Sequence, residues 1–264
     1  MNLKIDLKGK QALVGGATSG IGLATADLMA EYGCSVTVMG RSKEKCERVV
    51  QKLDSNAGQI HDFICVDAKN SDKLRTQLKN YAKTKSEVHF WVNNIGGPDA
   101  KSLFGTTIED LDEVFRLHVL ASQIILETMD PKFRQQQYGR IVNVLGTSLI
   151  SHVTYLAPSS IRSAVLNWSK HAAMELGEYG VTVNNIMPGP VDTPELKRLT
   201  EQLAEIKYTT PETILESVIN ETILKRVAQP NEIANVILLM VSEYFNYATG
   251  STLIIDGGMS KNVF

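Results

Sequence analysis

The sequence predicts an α/β domain built on a doubly wound parallel sheet of roughly seven strands, with helices on both faces. Three observations predict it. Short apolar runs alternate along the chain with longer segments of helical period. The candidate strands are apolar throughout rather than alternating, the mark of strands buried on both faces. Glycines cluster directly after the first apolar run, where a strand has to turn sharply into a helix.

Taken in order, QALVGG reads as a strand ending in glycines, and IGLATADLMAEYG as a helix closed by Gly33. CSVTVMG is a second strand, rich in β-branched residues, and KEKCERVVQKLDS a helix with one polar face. HDFICVDA is a third strand, followed by a charged helix over 72–84. HFWVNNIGG is a fourth strand running into a loop. A long helix is expected over 108–129, then a fifth strand GRIVNVLG, a helix over 159–176 and a sixth strand VTVNNIMPG. STLIIDGG supplies the seventh. The segment 194–229 breaks the rhythm: it is polar, rich in Thr and Glu, and follows the carboxyl end of a strand, the place of a substrate lid. The whole of 1–264 reads as one domain.

Composition narrows the function. The net charge is −2 and basic residues are scattered, so no nucleic-acid partner is expected. No apolar run reaches the roughly 18 residues that cross a bilayer, and the start of the chain lacks the apolar core of a signal peptide. Cys34, Cys46 and Cys65 have no CxxC spacing and read as reduced packing residues; the expectation is a cytoplasmic protein without a metal, acting on a small molecule.

The chemistry begins at Gly15-Gly16-Ala17-Thr18-Ser19-Gly20-Ile21-Gly22. Glycines let the backbone approach a pyrophosphate, and the helix that follows offers unpaired N–H groups and the positive end of its dipole. Gly16, Thr18, Ser19, Gly20, Ile21 and Gly22 are therefore candidate cofactor contacts. The second strand ends in Arg41 and Ser42, where a carboxylate usually holds a ribose 2′-hydroxyl. A guanidinium and a hydroxyl suit a 2′-phosphate instead, which favours NADP(H) over NAD(H). Asp67, with Ala68 beside it, is placed to meet the adenine edge; Asn93, Asn94, Ile95 and Gly96 are placed to position the cofactor riboses, or form an Asn-rich turn.

Together GGATSGIG, VNNIGG, GRIVNV, VTVNNIMPGPVDTP and ATGSTLIIDGG occur in the order and spacing that resemble the short-chain dehydrogenase/reductase family. The resemblance implies a single-domain Rossmann fold and an NAD(P)-dependent oxidoreductase. It places Pro188, Gly189, Val191 and Thr193 along the nicotinamide, and it implies a homotetramer or homodimer. NNIGGPDA followed by TIEDL, with VLG in place of the Ser motif, is similar to a branch represented by the divergent NADPH reductase of the bacilysin pathway. The chain also resembles 3-oxoacyl-ACP-reductase-like members of the family.

The departures from the family are as informative. Aligned on AMEL and on Pro188-Gly189, the family's Asn, Ser, Tyr and Lys positions fall on His118, Leu145, Pro158 and Arg162. Arg162 keeps the positive charge and can donate to ribose hydroxyls, but it stays protonated and relays no proton; the alternative is an ion pair on the helix surface. Tyr155 precedes Arg162 by seven residues, an offset resembling the enoyl-thioester reductase branch, and is either the displaced acid or an ordinary loop residue. Ser148, Ser151 and His152 are further donors in that loop, and His118 is either the holder of a water chain or structural. The chain is then either a reductase of a carbonyl or a conjugated C=C, or a nucleotide-binding scaffold with little turnover.

Overall fold

The structure, a computed structural model, describes residues 4–97, 99, 101–147 and 156–261, with 156–158 described by backbone alone. β1 (Gln11–Gly15), β2 (Ser35–Gly40), β3 (Asp62–Cys65), β4 (Phe90–Asn93), β5 (Gly139–Val144), β6 (Val181–Pro188) and β7 (Thr252–Ile255) form one sheet. Their order is β3-β2-β1-β4-β5-β6-β7 and every pair is parallel. Parallel strands need crossovers, and helices supply them on both faces.

The alternation of side chains along each strand divides the core in two. Ala12, Val14, Val36, Val38, Phe90 and Val92 face a layer formed by α1 (Gly20–Glu31), α2 (Lys43–Val50) and α9 (Pro230–Val241). Leu13, Met39, Trp91, Ile141 and Val183 face α3 (Ser71–Thr84), α5 (Ala121–Gln136) and α6 (Leu156–Leu176). The continuous apolar runs of the sequence are the consequence, since every position in a central strand faces one core or the other.

The structure departs from the expectations in three places. The helix expected over 108–129 is α4 (Ile108–Phe115), a π turn over Arg116–Leu120, and then α5, which runs past Pro131 to Gln136. Asp130-Pro131 looks like a helix end, but burial of Phe133 and the Arg134–Asp130 pair carry the helix onward. The segment 194–229 holds two helices, α7 (Pro194–Ile206) and α8 (Pro211–Glu221). Thr193 and Thr210 cap them, each with proline in the first turn. They pack on one another through Leu203, Ala204 and Ile214, a cluster separate from the two main cores. Finally α9, which periodicity left unassigned, lies beside α1 and buries Ile233, Ile237, Leu238 and Val241.

Candidate functional site

β1 and β4 are neighbours whose onward connections leave toward opposite edges of the sheet. That switch point opens a crevice at their carboxyl ends, where sheets of this kind bind ligands. Gly15 and Gly16 end β1 there, and Asn94 follows β4. Gly16 and Gly20 both have positive φ, 57° and 55°. A β-carbon at Gly16 would collide with the Asn94 carbonyl oxygen, and one at Gly20 would stand 2.9 Å from Cγ2 of Thr193. The Asn94 amide closes the turn by donating to the Gly15 carbonyl oxygen at 3.3 Å. Ser19 caps α1 with extended backbone and no side-chain bond, so the N–H groups of the first turn stay open to an anion. Thr18 and Ile21 flank that opening; Gly22 is buried beneath it, where a β-carbon would strike the Gly16 carbonyl oxygen.

The adenosine end of the expected site is an open cavity of about 890 Å³ lined by Arg41, Cys65, Val66, Asp67, Asn70 and Arg116, among others. Arg41 is exposed and its side chain makes no hydrogen bond among the described residues. Ser42 caps α2, accepting from the Lys45 N–H at 3.3 Å, which leaves its own proton free to donate. Asp67 turns the chain after β3 by accepting from the Lys69 N–H at 3.0 Å, with Ala68 buried behind it. The residues lining the cavity do not include the glycine turn or Arg162; the switch point lies further along the sheet.

Asn93 faces inward, away from the crevice. Its amide donates to Ser122 Oγ and to Asn143 Oδ1, both at 2.9 Å, and Asn143 donates to Asn185 Oδ1 at 3.0 Å. These three asparagines are register partners on β4, β5 and β6. The ladder stiffens the strand ends that carry the site. Only Asn94, Ile95 and Gly96 are left toward the crevice, and a β-carbon on Gly96 would meet nothing within 4 Å.

At the end where the nicotinamide was expected, Gly189 is pressed against the chain after β7: its absent β-carbon would lie 2.7 Å from Cα of Asp256. Pro188 closes β6 opposite Ile255, and Val191 bridges to Ala228. Thr193 donates to the Val191 carbonyl oxygen at 3.2 Å and caps α7.

Arg162, on α6, enters the crevice between two loops. Its Nη1 lies 3.2 Å from the missing β-carbon of Gly146 and its Nη2 3.3 Å from that of Gly97. It makes no hydrogen bond or ion pair with any described residue, and its Nε is buried without a partner. Burial pushes its pKa down and the Glu195 carboxylate pulls it back. This is not the surface ion pair of the alternative reading. A guanidinium that makes no hydrogen bond among the described residues, set against the backbone of Gly97 and Gly146, fits a dinucleotide ribose and its neighbouring groups. His118 is buried in the π turn, its Nε2 also unpartnered, and its pKa falls to about 3 through burial and then the charge of Arg162. Leu145 is buried against Val165 and Met187 and brings no hydroxyl to the site. Tyr155, Ser148, Ser151 and His152 lie outside the described residues, as does the side chain of Pro158.

The sequence left unread a polar strap across this end. Arg198 on α7 pairs with Asp99 and, at 2.7 Å, with Glu195, and it reaches the Gly97 carbonyl oxygen at 3.4 Å. Gln202 donates to Asp99 at 2.9 Å. α7 is thereby fastened to the loop after β4, above Arg162. Gly97 and Gly146 were also missed; glycine in GG and VLG was the available signal. No described helix is long and apolar enough to cross a membrane.

Comparison with known proteins gives a consistent picture. A family model described as enoyl-(acyl carrier protein) reductase matches residues 16–260. The 3-oxoacyl-[acyl-carrier-protein] reductase FabG of Aquifex aeolicus is 28% identical over 261 residues, covering 97% of this chain and all of the relative. Cyclopentanol dehydrogenase of Comamonas sp. is 27% identical, covering 96% of this chain and 98% of its own. Among solved structures, L-sorbose reductase of Gluconobacter frateurii, complexed with NADPH and L-sorbose, superposes with a TM-score of 0.91 at 25% identity, covering 99% of this chain and 100% of its own. YwfH, an NADPH-dependent reductase involved in bacilysin biosynthesis, shares the fold with a TM-score of 0.88 at 23% identity, covering 96% and 99%.

Proposed function

The chain belongs to the short-chain dehydrogenase/reductase superfamily and is an NAD(P)-dependent oxidoreductase, and from that premise we propose an NADP(H)-dependent reductase of a carbonyl or a conjugated C=C in a small or acyl-type substrate. The observation that carries this reading is Arg162, a guanidinium that makes no hydrogen bond among the described residues and lies at the ends of β4 and β5. NADPH in the related L-sorbose reductase supports the choice of cofactor, as does Arg41, free at the place of a 2′-phosphate.

In this reading the glycine turn and the first turn of α1 hold the pyrophosphate, Arg41 and Ser42 the 2′-phosphate, and Asp67 the adenine edge. Arg162 holds the nicotinamide ribose, and Thr193 the carboxamide. The bound nicotinamide supplies the hydride. The chain's own contribution is placement, exclusion of water by α7 and α8, and positive charge where oxygen gains electrons. Leu145 supplies no hydroxyl to orient a carbonyl, so Arg162 and Tyr155 carry that task, which favours the conjugated alkene: its enolate needs a cation and a proton donor. The enzyme works as a cytoplasmic homotetramer or homodimer. Tyr247 and Leu253, exposed at the β7 edge, support an interface there.

The test is NADPH oxidation against a panel of enones, diketones and β-ketoacyl thioesters, followed by absorbance. Turnover with an enone, abolished in Tyr155→Phe, is the expected result. Tight NADPH binding with no turnover on any of them favours instead a nucleotide-binding scaffold, the reading to which the four departures at His118, Leu145, Pro158 and Arg162 lend weight.

A further inference from the structure

Cys46 and Cys65 have no spacing in the sequence that pairs them, but the fold sets them side by side. Gly40 on β2 and Cys65 on β3 are register partners, so their backbones lie about 4.8 Å apart. Both face the layer that holds α2, since Val38 and Phe63, each two positions earlier, pack there. A β-carbon on Gly40 would stand 2.9 Å from Cys46 Sγ. The sulfur of Cys46, on α2, therefore fills the side-chain space that Gly40 leaves empty, next to the side chain of Cys65. The two thiols feel one another: burial first, then Cys65 and Glu47, push the Cys46 thiol up to about 11. Their access differs. Cys46 is buried, whereas Cys65 is half-buried and lines the cavity beside Arg41.

We propose that Cys46 and Cys65 are a redox site, joined by a reversible disulfide under peroxide, and that this bond shuts the adenosine end of the cofactor site. Hydrogen peroxide reaches Cys65 through the cavity and oxidises its thiol to a sulfenic acid, releasing one water. The Cys46 sulfur then attacks the sulfenic sulfur. The S–S bond forms, the S–O bond breaks, and hydroxide leaves with the Cys46 proton as a second water. Two thiols lose two electrons, and the peroxide takes them up. A dithiol such as dithiothreitol reverses the bond by exchange and ends as a disulfide itself. The consequence lies in what the two sulfurs now touch. Cys65 Sγ donates to the Arg41 carbonyl oxygen at 3.5 Å. The point on Gly40 that meets Cys46 Sγ lies 2.8 Å from Cγ2 of Thr18. A disulfide removes the first contact and, through its fixed geometry, shifts the second. Arg41 and Thr18 serve the 2′-phosphate and the glycine turn, so the oxidised chain loses NADPH affinity and bound NADPH shields Cys65. That consequence rests on the NADP(H) reading; the bond between the sulfurs does not.

The test is peptide mapping of the non-reduced chain by mass spectrometry after treatment with hydrogen peroxide, in wild type and Cys46→Ala. Wild type is expected to yield one linked pair of peptides, Cys46 with Cys65, lighter than their sum by two hydrogens. Cys46→Ala should stop at the sulfenic acid on Cys65, which dimedone traps. Cys34 precedes β2 at its far end, roughly 20 Å from Gly40, and should stay a free thiol. The oxidised chain should bind NADPH roughly tenfold more weakly until dithiothreitol restores it, and saturating NADPH should slow the linkage. Wild type in which Cys65 stays free, is oxidised without linking to Cys46, or links to Cys34 or to another chain overturns the proposal. Linkage with an unchanged dissociation constant for NADPH overturns the closure of the site. If the reduced chain binds no NADPH, the cofactor reading falls, while the linked peptides still decide the bond.

Discussion

The guanidinium of Arg162 lies against the backbone of Gly146, its Nη1 3.2 Å from where a β-carbon would stand. Gly146 also has a φ of 91°, a conformation other residues adopt only with strain. Gly146→Ala therefore does two things, straining the turn after β5 and displacing Arg162. Gly9→Ala is the matching control, because Gly9 has a φ of 78° but nothing within 4 Å of its missing β-carbon. Both variants should lose about 1–3 kcal/mol of stability. Only Gly146→Ala should also weaken NADPH binding, by roughly tenfold. Equal dissociation constants for the two, measured by fluorescence titration, would show that Arg162 does not hold the cofactor.

Arg41 stands exposed just after β2, its side chain without a hydrogen bond among the described residues, and lines the cavity together with Asp67 and Cys65. A carboxylate there repels a 2′-phosphate and accepts from a 2′-hydroxyl. Arg41→Asp is expected to reverse the preference from NADPH toward NADH, losing about 1.5–3 kcal/mol of NADPH binding with the charge-assisted bonds. An unchanged ratio of the two dissociation constants would remove Arg41 from the site.

Asn143 is fully buried in the middle of the ladder. Asn143→Ala strands the Asn185 Oδ1 that its amide now serves and takes one acceptor from Asn93, which keeps Ser122. A loss of about 2–3 kcal/mol is expected, read from the urea midpoint. A loss below about 0.5 kcal/mol would mean the ladder is replaced by water or slack.

The strands and the glycine turn were legible because local chemistry dictates them: a two-faced buried strand must be apolar, and a turn with positive φ at Gly16 and Gly20 must be glycine. The helix end at 129 and the two helices of 194–221 were less so. Asp130-Pro131 and the polar face of 194–221 carry stop signals that only tertiary packing, at Phe133 and around Leu203 and Ile214, overrides. Of the site, Arg162 was found as a substitution at a patterned position. Its two glycine neighbours and the Arg198–Asp99 strap were not, because Gly97, Gly146, Asp99 and Arg198 come from loops and a helix far apart in sequence and meet only through the fold. The inward turn of Asn93 was hidden for the same reason: VNNIGG does not say which asparagine faces which side.

His118 sets the sign of one pH effect. Its pKa falls from an ordinary 6.5 to about 3 in the folded chain, through burial first and the charge of Arg162 second. Between those values the unfolded chain binds a proton that the folded one refuses, so stability is complete above about pH 6.5 and is lost as pH falls toward 3. From pH 7 to pH 5 this one group should cost wild type about 2 kcal/mol. Other groups, His89 and the carboxylates among them, titrate in both wild type and His118→Gln, so the difference between the two isolates His118. His118→Gln should lose about 2 kcal/mol less than wild type over that interval, measured by urea unfolding at each pH. Parallel losses would mean that His118 takes up its proton in the folded state, and that water reaches the imidazole from the crevice.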